Sequence, residues 1–298
     1  MRFLNASAVW TRSLKTRVTV ATLMIFLISI WVLTWYAGKS LRVDMQRLQT
    51  DNQLSAVSMA ASQINAEIAT RKRAMELVAS ALRPEHLSSA KTLQQELQKY
   101  PVFAELFTGG AFVTGRDGVV LASIGSTTPR LGLSYADRDY FKAAVQEGRT
   151  SIGRPLMGRV IKKPVFVIST PTRNRGQQVV GMLAAGVDLS KPSFMDRISE
   201  QPFGRSGNYL VVSRSHRQIV ISSDKRRTLE ALPAPGASPA LDRFLAGYEG
   251  DAVFVNPLGV EVLATVKAVP EADWYVAVAL PTAEAFAPIY VRLAFTPN

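Results

Sequence analysis

The sequence contains no cysteine, so disulfides, thiol catalysis and thiolate metal sites are excluded. Its two histidines, His86 and His216, stand far apart in the chain, and we therefore predict neither a histidine metal site nor a Ser-His-Asp triad. A P-loop and a strand-turn-helix with G-x-G-x-x-G are also missing, which disfavours nucleotide binding. We expect no cofactor, no bound metal and no catalytic residues, and hence a chain that is not an enzyme.

Acidic residues are missing from two stretches of a chain whose formal net charge is +12. The first 17 positions hold four basic residues and no acid, and residues 149–175 hold seven basic residues and no acid. Elsewhere the basic residues are dispersed among carboxylates, so the sequence does not indicate a nucleic acid partner. Residues 149–175 indicate either the mouth of an anion pocket or a set of solvated turn and strand-edge residues.

Charge is also missing from residues 18–38, which are long enough to cross the hydrocarbon core of a membrane as a helix. Three basic residues precede this run: Arg12, Lys15 and Arg17. Three aromatic residues lie near its far end: Trp31, Trp35 and Tyr36. The pattern predicts a single transmembrane helix in the inner membrane, with residues 1–17 in the cytoplasm and the rest in the periplasm. A cleaved signal peptide is the alternative, but its apolar run is normally shorter and ends in a small-x-small site.

Proline and glycine are absent from residues 40–82, which predicts one long helix within a stalk of residues 39–88. Its apolar residues follow steps of three and four, interrupted only by Arg71: Leu54, Val57, Ala61, Ile64, Ile68, Met75, Val78 and Leu82. Such a stripe needs a partner. It either packs against the globular part of the same chain or forms the seam of a homodimer.

After a second helical stretch at 89–100, short β-rich runs alternate with turn signals. Hairpins are predicted at 109–125, 164–188 and 208–224, and three more strands between 251 and 281. A helix follows the first hairpin and another follows the third. The order predicts an α+β fold with two units, each a mostly antiparallel sheet with helices on it, and the Val-Phe-Val triplets at 165–167 and 253–255 are expected to hold equivalent places.

The order of long helix, hairpin, "DRDYFKAA", "PVFVISTPT" and "GVDL" resembles a double-Cache sensor domain over roughly residues 40–284. Such domains are the extracytoplasmic ligand-binding parts of bacterial chemoreceptors, sensor kinases and diguanylate cyclases, and "SSDKRRTLEALPAPG" is most similar to the sensors of diguanylate cyclases. The resemblance implies two PAS-like (Cache) modules on a long helix. The expected segments beyond the stalk are a membrane-distal ligand-binding module at 89–190, a linker at 191–205, a membrane-proximal module at 206–284, and at 285–298 a tail or the truncated start of a second membrane segment.

Amino-acid-sensing members carry an R-x-W-Y motif, whose place is taken here by residues 138–141, "RDYF". The resemblance implies that Arg138 grips a ligand carboxylate, that Tyr140 and Phe141 wall the pocket, and that Asp188 shapes its floor. A guanidinium suits this role because its planar fork matches two carboxylate oxygens. Asp137 is then expected to cap the helix that follows. Alternatively, Arg138 pairs with a neighbouring aspartate and the rings are core.

In the same subfamily, polar side chains hold the amine of the ligand. Two of their positions correspond here to residues at or beside Leu156 and Gly158, whose side chains cannot accept hydrogen bonds from an ammonium group. This departure favours an organic acid over an α-amino acid, with Arg159 and Lys163 as further candidates for ligand binding. We therefore predict a periplasmic, membrane-anchored, homodimeric sensor of a small carboxylate, with its output domain, a cyclase or kinase for example, outside this chain. The alternatives are a membrane-anchored binding or assembly protein without signalling and, third, a periplasmic hydrolase.

Overall fold

The computed structural model describes residues 14–82, 89–125, 130–196, 203–223 and 225–285. Two compact units are distinguished, one containing the chain up to Asp51 and the other spanning Asn52–Ala285. His86, residues 83–88 of the expected stalk, residues 197–202 of the expected linker and residues 286–298 of the expected tail lie outside the described residues.

Helix α1 runs without interruption over Leu14–Ala81 and therefore joins the predicted membrane helix to the predicted stalk helix. Its segment Val18–Tyr36 has a mean hydropathy of 2.2, is not buried in the structure, and is long and apolar enough to cross a membrane. The hydroxyl groups of Thr22, Ser29 and Thr34 each donate a hydrogen bond of 2.8 Å to the carbonyl four residues earlier. These three hydroxyl groups therefore have hydrogen-bond acceptors within the helix.

Within the second unit, the apolar stripe of α1 packs against the sheets of the same chain. Seven of its eight apolar members are buried in one hydrophobic core, and only Leu54, at 38% exposure, is not. Arg71, which interrupts the stripe, is also buried, because its guanidinium pairs with Glu67, donates to the Leu106 carbonyl and lies 4.1 Å from the ring centre of Phe194. The prediction of internal packing is confirmed. The seven buried members have almost no surface left for a second copy, so they do not form the seam of a dimer.

The first sheet is preceded by two helices, α2 at Ala90–Gln98 and α3 at Val102–Leu106. It contains β1 (Ala111–Gly115), β2 (Val120–Ile124), β3 (Ser151–Ile152), β4 (Leu156–Met157), β5 (Pro164–Arg173) and β6 (Val179–Asp188). The strand order is β2-β1-β6-β5-β3, β4 also pairs with β5, and every pairing is antiparallel. Helix α4, at Asp139–Val145, lies between β2 and β3 in the chain.

The second sheet contains β7 (Asn208–Ser213), β8 (Gln218–Ser222), β9 (Gly250–Val255), β10 (Glu261–Val269) and β11 (Trp274–Pro281). Helix α5 (Pro239–Leu245) follows β8, a 3₁₀ turn (Pro270–Ala272) precedes β11, and α6 (Thr282–Ala285) ends the described chain. The antiparallel strand order is β8-β7-β11-β10-β9. The predicted α+β class with two antiparallel sheets is confirmed.

When the two strand orders are aligned from the hairpin β1–β2 and the hairpin β7–β8 onward, β5 corresponds to β10 and β3 corresponds to β9. The triplet at 165–167 lies on β5, but the triplet at 253–255 lies on β9. Their predicted equivalence is wrong, because the short strands β3 and β4 precede β5 in the first sheet whereas β9 alone precedes β10 in the second.

Each sheet turns one face toward α1 and the other toward its own short helix. The faces toward α1 share one core, in which the rings of Phe166 on β5 and Trp274 on β11 meet edge to face with 5.2 Å between centroids. Phe194 and Met195, in the expected linker, are buried in that core as well. The opposite faces form two separate cores, one under α4 and one under α5.

Replacing Ile68, which is fully buried, with Ala is expected to lower the free energy of unfolding by about 2–5 kcal/mol through lost burial and a residual cavity. The matched control is Met59→Ala on the same helix, because Met59 is 75% exposed and its loss should change stability by no more than about 0.5 kcal/mol. Urea unfolding of the detergent-solubilised chain, followed by circular dichroism, measures both. Equal small losses would contradict the internal packing of the stripe.

Candidate functional site

A cavity of about 30 Å³, here called the first cavity, lies between α4 and the first sheet. Its principal lining residues come from β1, β4, β5, α4 and the loops around them: Phe112, Arg130, Tyr135, Arg138, Tyr140, Leu156, Gly158, Arg159, Val165 and Val167. Three of these are arginines, and no carboxylate is among the lining residues that the structure describes. At this volume the first cavity accommodates a water-sized molecule, so a larger ligand requires its loops to move.

The start of α4 presents two residues of the motif "RDYF", Arg138 and Tyr140, to the first cavity. Arg138 is the N-cap residue, with an extended backbone (φ −82°, ψ 142°) and no side-chain capping bond. The first turn is held by Asp139, whose carboxylate accepts from the backbone N–H groups of Tyr140 and Arg154, both at 2.8 Å. The predicted capping role of Asp137 is wrong, because its carboxylate is engaged by the Arg159 guanidinium at 2.9 and 3.1 Å.

The guanidinium of Arg138 is only partly satisfied. Its Nε is buried and has no hydrogen-bond partner among the described residues. The nearby Asp137 Oδ2 lies 3.7 Å away, which permits electrostatic attraction but is too long for a hydrogen bond. The predicted pairing of Arg138 with a neighbouring aspartate is therefore present in a weak form, and one N–H direction stays available for another acceptor.

Arg130 is the charged lining residue that sequence reasoning missed. It is 5% exposed, its Nη2 donates to the Gly109 carbonyl at 2.7 Å, and its guanidinium lies 5.4 Å from the ring centre of Phe112. Its Nη1 is buried without a partner in the described part of the chain, and burial lowers its pKa. The available signal was that Arg130 is the one charged residue between Asp117 and Asp137.

Arg159 closes the first cavity from the side of the β4–β5 loop. Its guanidinium donates to the Ser134 carbonyl, pairs with Asp137 and lies 5.3 Å from the ring centre of Tyr135. Burial raises the pKa of Tyr135 and of Tyr140, so both phenols are neutral at physiological pH. The charge that faces the first cavity is therefore positive.

The predicted site residues divide into two groups. Arg138, Tyr140 and Arg159 line the first cavity, as do Leu156 and Gly158, the places that correspond to amine-binding side chains in the resembled subfamily. Phe141, Lys163 and Asp188 do not line it. Tyr140 also packs with Phe141 in the core under α4, so the alternative that the rings are core holds in part.

The residues outside the lining have local roles in the structure. Phe141 is buried in the core under α4. Lys163 is exposed, and its carbonyl accepts from the Gly158 N–H at 2.8 Å, which closes the β4–β5 loop. Asp188 is buried at the end of β6, where its Oδ1 accepts from the N–H and the hydroxyl of Ser190 at 2.9 and 2.7 Å. This geometry places the Asp188 carboxylate in a turn rather than on the predicted pocket floor.

The comparison with protein families settles the membership of the chain. A family model described as a Cache domain, of the double-Cache type, matches residues 42–289. The chain belongs to the double-Cache family. Comparison of this Cache protein with curated proteins gave no match.

Solved structures share the double-Cache fold at low identity. The ligand-binding domain of the Pseudomonas aeruginosa PAO1 amino acid chemoreceptor PctB, in complex with L-Arg, is 21% identical with a TM-score of 0.66, and the match covers 84% of this chain and 94% of that chain. The ligand-binding domain of the Pseudomonas fluorescens chemoreceptor CtaA, in complex with L-isoleucine, is 15% identical with a TM-score of 0.62, and the match covers 84% of this chain and 98% of that chain. The sensor domain of the V. cholerae histidine kinase DctB is 15% identical with a TM-score of 0.57, and the match covers 80% of this chain and 98% of that chain.

These identities establish the fold alone. The three relatives are the sensor parts of chemoreceptors and of a histidine kinase. The finer expectation, that the chain is most similar to the sensors of diguanylate cyclases, is not supported by them.

Gly153 is required for the position of Tyr140, because a Cβ at this glycine would lie 2.6 Å from Tyr140 Cδ1 and 3.1 Å from its Cβ. Gly153→Ala is expected to displace the ring and to lower the free energy of unfolding by about 1–3 kcal/mol, as overpacking does. Gly176→Ala is the control, since its new Cβ would meet only Asn174 Oδ1 at 3.4 Å. Urea unfolding of both variants is the measurement, and equal stabilities would show that the Tyr140 ring is not held by Gly153.

Proposed function

We propose that the chain is the sensor part of a membrane-anchored receptor and that the first cavity binds a small organic anion. The observation that carries this proposal is the pair of buried guanidinium N–H groups, on Arg130 and Arg138, that have no acceptor among the described residues. Buried polar groups in proteins are nearly always paired, and charged ones most strictly. A carboxylate supplies acceptor oxygens and compensates the positive charge in one step.

The chemistry of the lining favours an anion without an ammonium group. Arg130, Arg138 and Arg159 contribute positive charge, and the described lining offers no carboxylate to balance a ligand amine. At the positions that correspond to amine-binding side chains in the resembled subfamily, Leu156 and Gly158 offer no polar side chain. PctB and CtaA are in complex with amino acids, so an amino acid is the alternative class of ligand that the experiment below must separate from a plain carboxylate.

Ligand entry is proposed to displace the β4–β5 loop. Arg159 is the tie between that loop and the segment before α4, through Ser134 and Asp137. A ligand carboxylate that attracts Arg159 competes with Asp137 and thereby rearranges the start of α4. In this proposal the rearrangement passes through the first sheet to α1, which packs on its opposite face.

The remaining features of the proposal concern the setting of the sensor. Val18–Tyr36 anchors the chain in the inner membrane, with the Cache part in the periplasm and the output function outside this chain. The sensor itself is not an enzyme. A homodimer is part of the proposal, with its contact outside the buried stripe of α1. The rival is a membrane-anchored binding or assembly protein that does not signal.

Carboxylates are expected to raise the melting temperature of the detergent-solubilised chain, because a ligand selective for the folded state stabilises it. The screen compares acetate, succinate and malate with alanine, arginine and isoleucine. Stabilisation by carboxylates but not by amino acids is the expected result. Stabilisation by amino acids alone would overturn the assignment of an anion without an amine.

The affinity for the carboxylate that the screen yields is expected to fall about thirty-fold to several thousand-fold in Arg138→Ala and in Arg130→Met, corresponding to about 2–5 kcal/mol. Arg138→Lys should restore little, because an ammonium group cannot reproduce the planar fork. The control is Arg149→Ala, since Arg149 is exposed, is paired with Glu147 and does not line the first cavity. Calorimetry that finds unchanged affinity in both variants would place the binding site elsewhere.

The membrane topology is expected to be N-in and C-out. Alkaline phosphatase fused after residue 298 should be active in cells, whereas the same enzyme fused after Arg17, before the apolar segment, should be inactive. The reverse pattern would contradict the orientation proposed from the basic residues that precede the helix.

A further inference from the structure

The second sheet carries a cavity of its own, of about 220 Å³, here called the second cavity. It lies between α5 and the face of the sheet that points away from α1. The lining comes mainly from β7, β10 and β11, from α5, from the segment between β8 and α5 and from the loop between β9 and β10.

The second cavity occupies the same place in its sheet as the first cavity does. The first cavity is lined by β1, β5 and α4, and the second by their counterparts β7, β10 and α5. Val165 and Val167 on β5 line the first cavity, as Val262 and Ala264 on β10 line the second. The repeat therefore places two cavities at equivalent positions of one chain, and only the first has been considered as a binding site.

Small side chains explain why the second cavity is open. Ala264, Ala277 and Ala279 lie on adjacent strands β10 and β11, and Ala264 pairs directly with Ala279. Helix α5 has seven residues and contributes Leu241 and Phe244 to the lining. A short helix over a sheet face built of alanines leaves space that larger side chains would fill.

The lining chemistry of the second cavity is opposite to that of the first. Its one charged residue within the described lining, Arg227, is engaged by the Glu230 carboxylate in two hydrogen bonds of 2.7 Å. The side chain of Asn256 at the rim accepts from the N–H groups of Leu258 and Val260 at 2.9 and 3.0 Å, so its oxygen is used to fold the turn. The remaining surface is mostly aliphatic and aromatic. The one cation that an anion would meet there, Arg227, is already paired with a carboxylate.

Two further observations indicate a small apolar occupant. The volume exceeds the roughly 150 Å³ of an apolar cavity that takes up benzene, so one aromatic ring with a short substituent fits. Leu258, at 69% exposure, and Val260, at 42%, stand at the rim. Exposed apolar groups that border a cavity are typical of binding sites, because an occupant removes them from water.

We propose that the second cavity is a binding site for an uncharged, single-ring aromatic molecule, separate from the anion site of the first cavity. The chain is then a receptor with two sites of opposite polarity at equivalent positions of its repeat. This inference does not depend on the proposed function, since the second cavity exists whether or not the first binds a carboxylate.

The test uses the full chain in lipid nanodiscs with labelled Leu and Val methyl groups, and toluene as the probe. Toluene is expected to cause saturable chemical-shift changes at the methyl groups of Leu210, Val212 and Val262, and none at Val165 and Val167 beside the first cavity. Benzoate, which adds a negative charge to the same ring, is expected to bind at least ten-fold more weakly at the second cavity. Shifts that do not saturate, or that are equal at both cavities, would mean partition into lipid only and would overturn the proposal.

Cavity-filling variants provide the second arm. Ala277→Leu and Ala279→Leu are each expected to weaken toluene binding at least ten-fold, because the added side chain occupies the space of the ring. The matched control is Ala234→Leu, an exposed alanine in the loop before α5, which should bind toluene as the wild type does. Two filling variants are used because one of them could misfold, which would be seen as loss of its methyl spectrum. The other variant then still tests the proposal. Unchanged affinity in a folded filling variant would overturn the proposal.

Discussion

The packing of the α1 stripe against both sheets is the constraint on which the rest of the second unit depends. Both sheets complete the core on this side with side chains of the same helix, to which α2 adds Leu93 and Leu97. Polar contacts fix the register of the second sheet on it. Gln53 accepts from the Thr265 hydroxyl at 2.7 Å. Within the 3₁₀ turn, the Glu271 carboxylate accepts from Lys72 at 2.6 Å and the Glu271 N–H donates to the Asn65 side chain at 3.0 Å. Burial of the helix stripe supplies the stabilisation, and these bonds select one alignment.

The two outer faces show how one architecture supports opposite chemistries. The strands that line both cavities are apolar and similar, so they fix a position but not a ligand class. The difference comes from the segments between strands. Before α4 these segments bring Arg130 and Arg138 to the first cavity. Before α5 they bring one arginine to the second cavity, Arg227, which is paired with Glu230 three residues later. The charge that lines each cavity is therefore set by the segments between the strands.

Much of the fold could be predicted because its signals are local. The apolar run, the helical stripe and the hairpins each depend on neighbours a few residues apart, and the structure has all of them. The site was harder. Asp137 is the natural N-cap by sequence position, yet Arg159 from a distant loop engages its carboxylate and Asp139 takes over the first turn. Arg130 reaches the cavity only because its loop crosses the end of β1, where it donates to Gly109, and no local pattern encodes that contact. The predicted equivalence of the Val-Phe-Val triplets is wrong for a similar reason. The local sequence does not show how many strands precede β5 in the first sheet or β10 in the second.

The edge-to-face contact between Phe166 and Trp274 has a further consequence for how the molecule comes apart. These rings join the first sheet to the second within the core that α1 completes, so removing either sheet would expose the apolar face of the other to water. The two halves of the repeat are therefore one cooperative unit, although their outer cores are separate. A protease that waits for transient opening should find cleavage sites in both sheets at the same moment, and a molecule that stabilises one sheet protects the other from digestion as well.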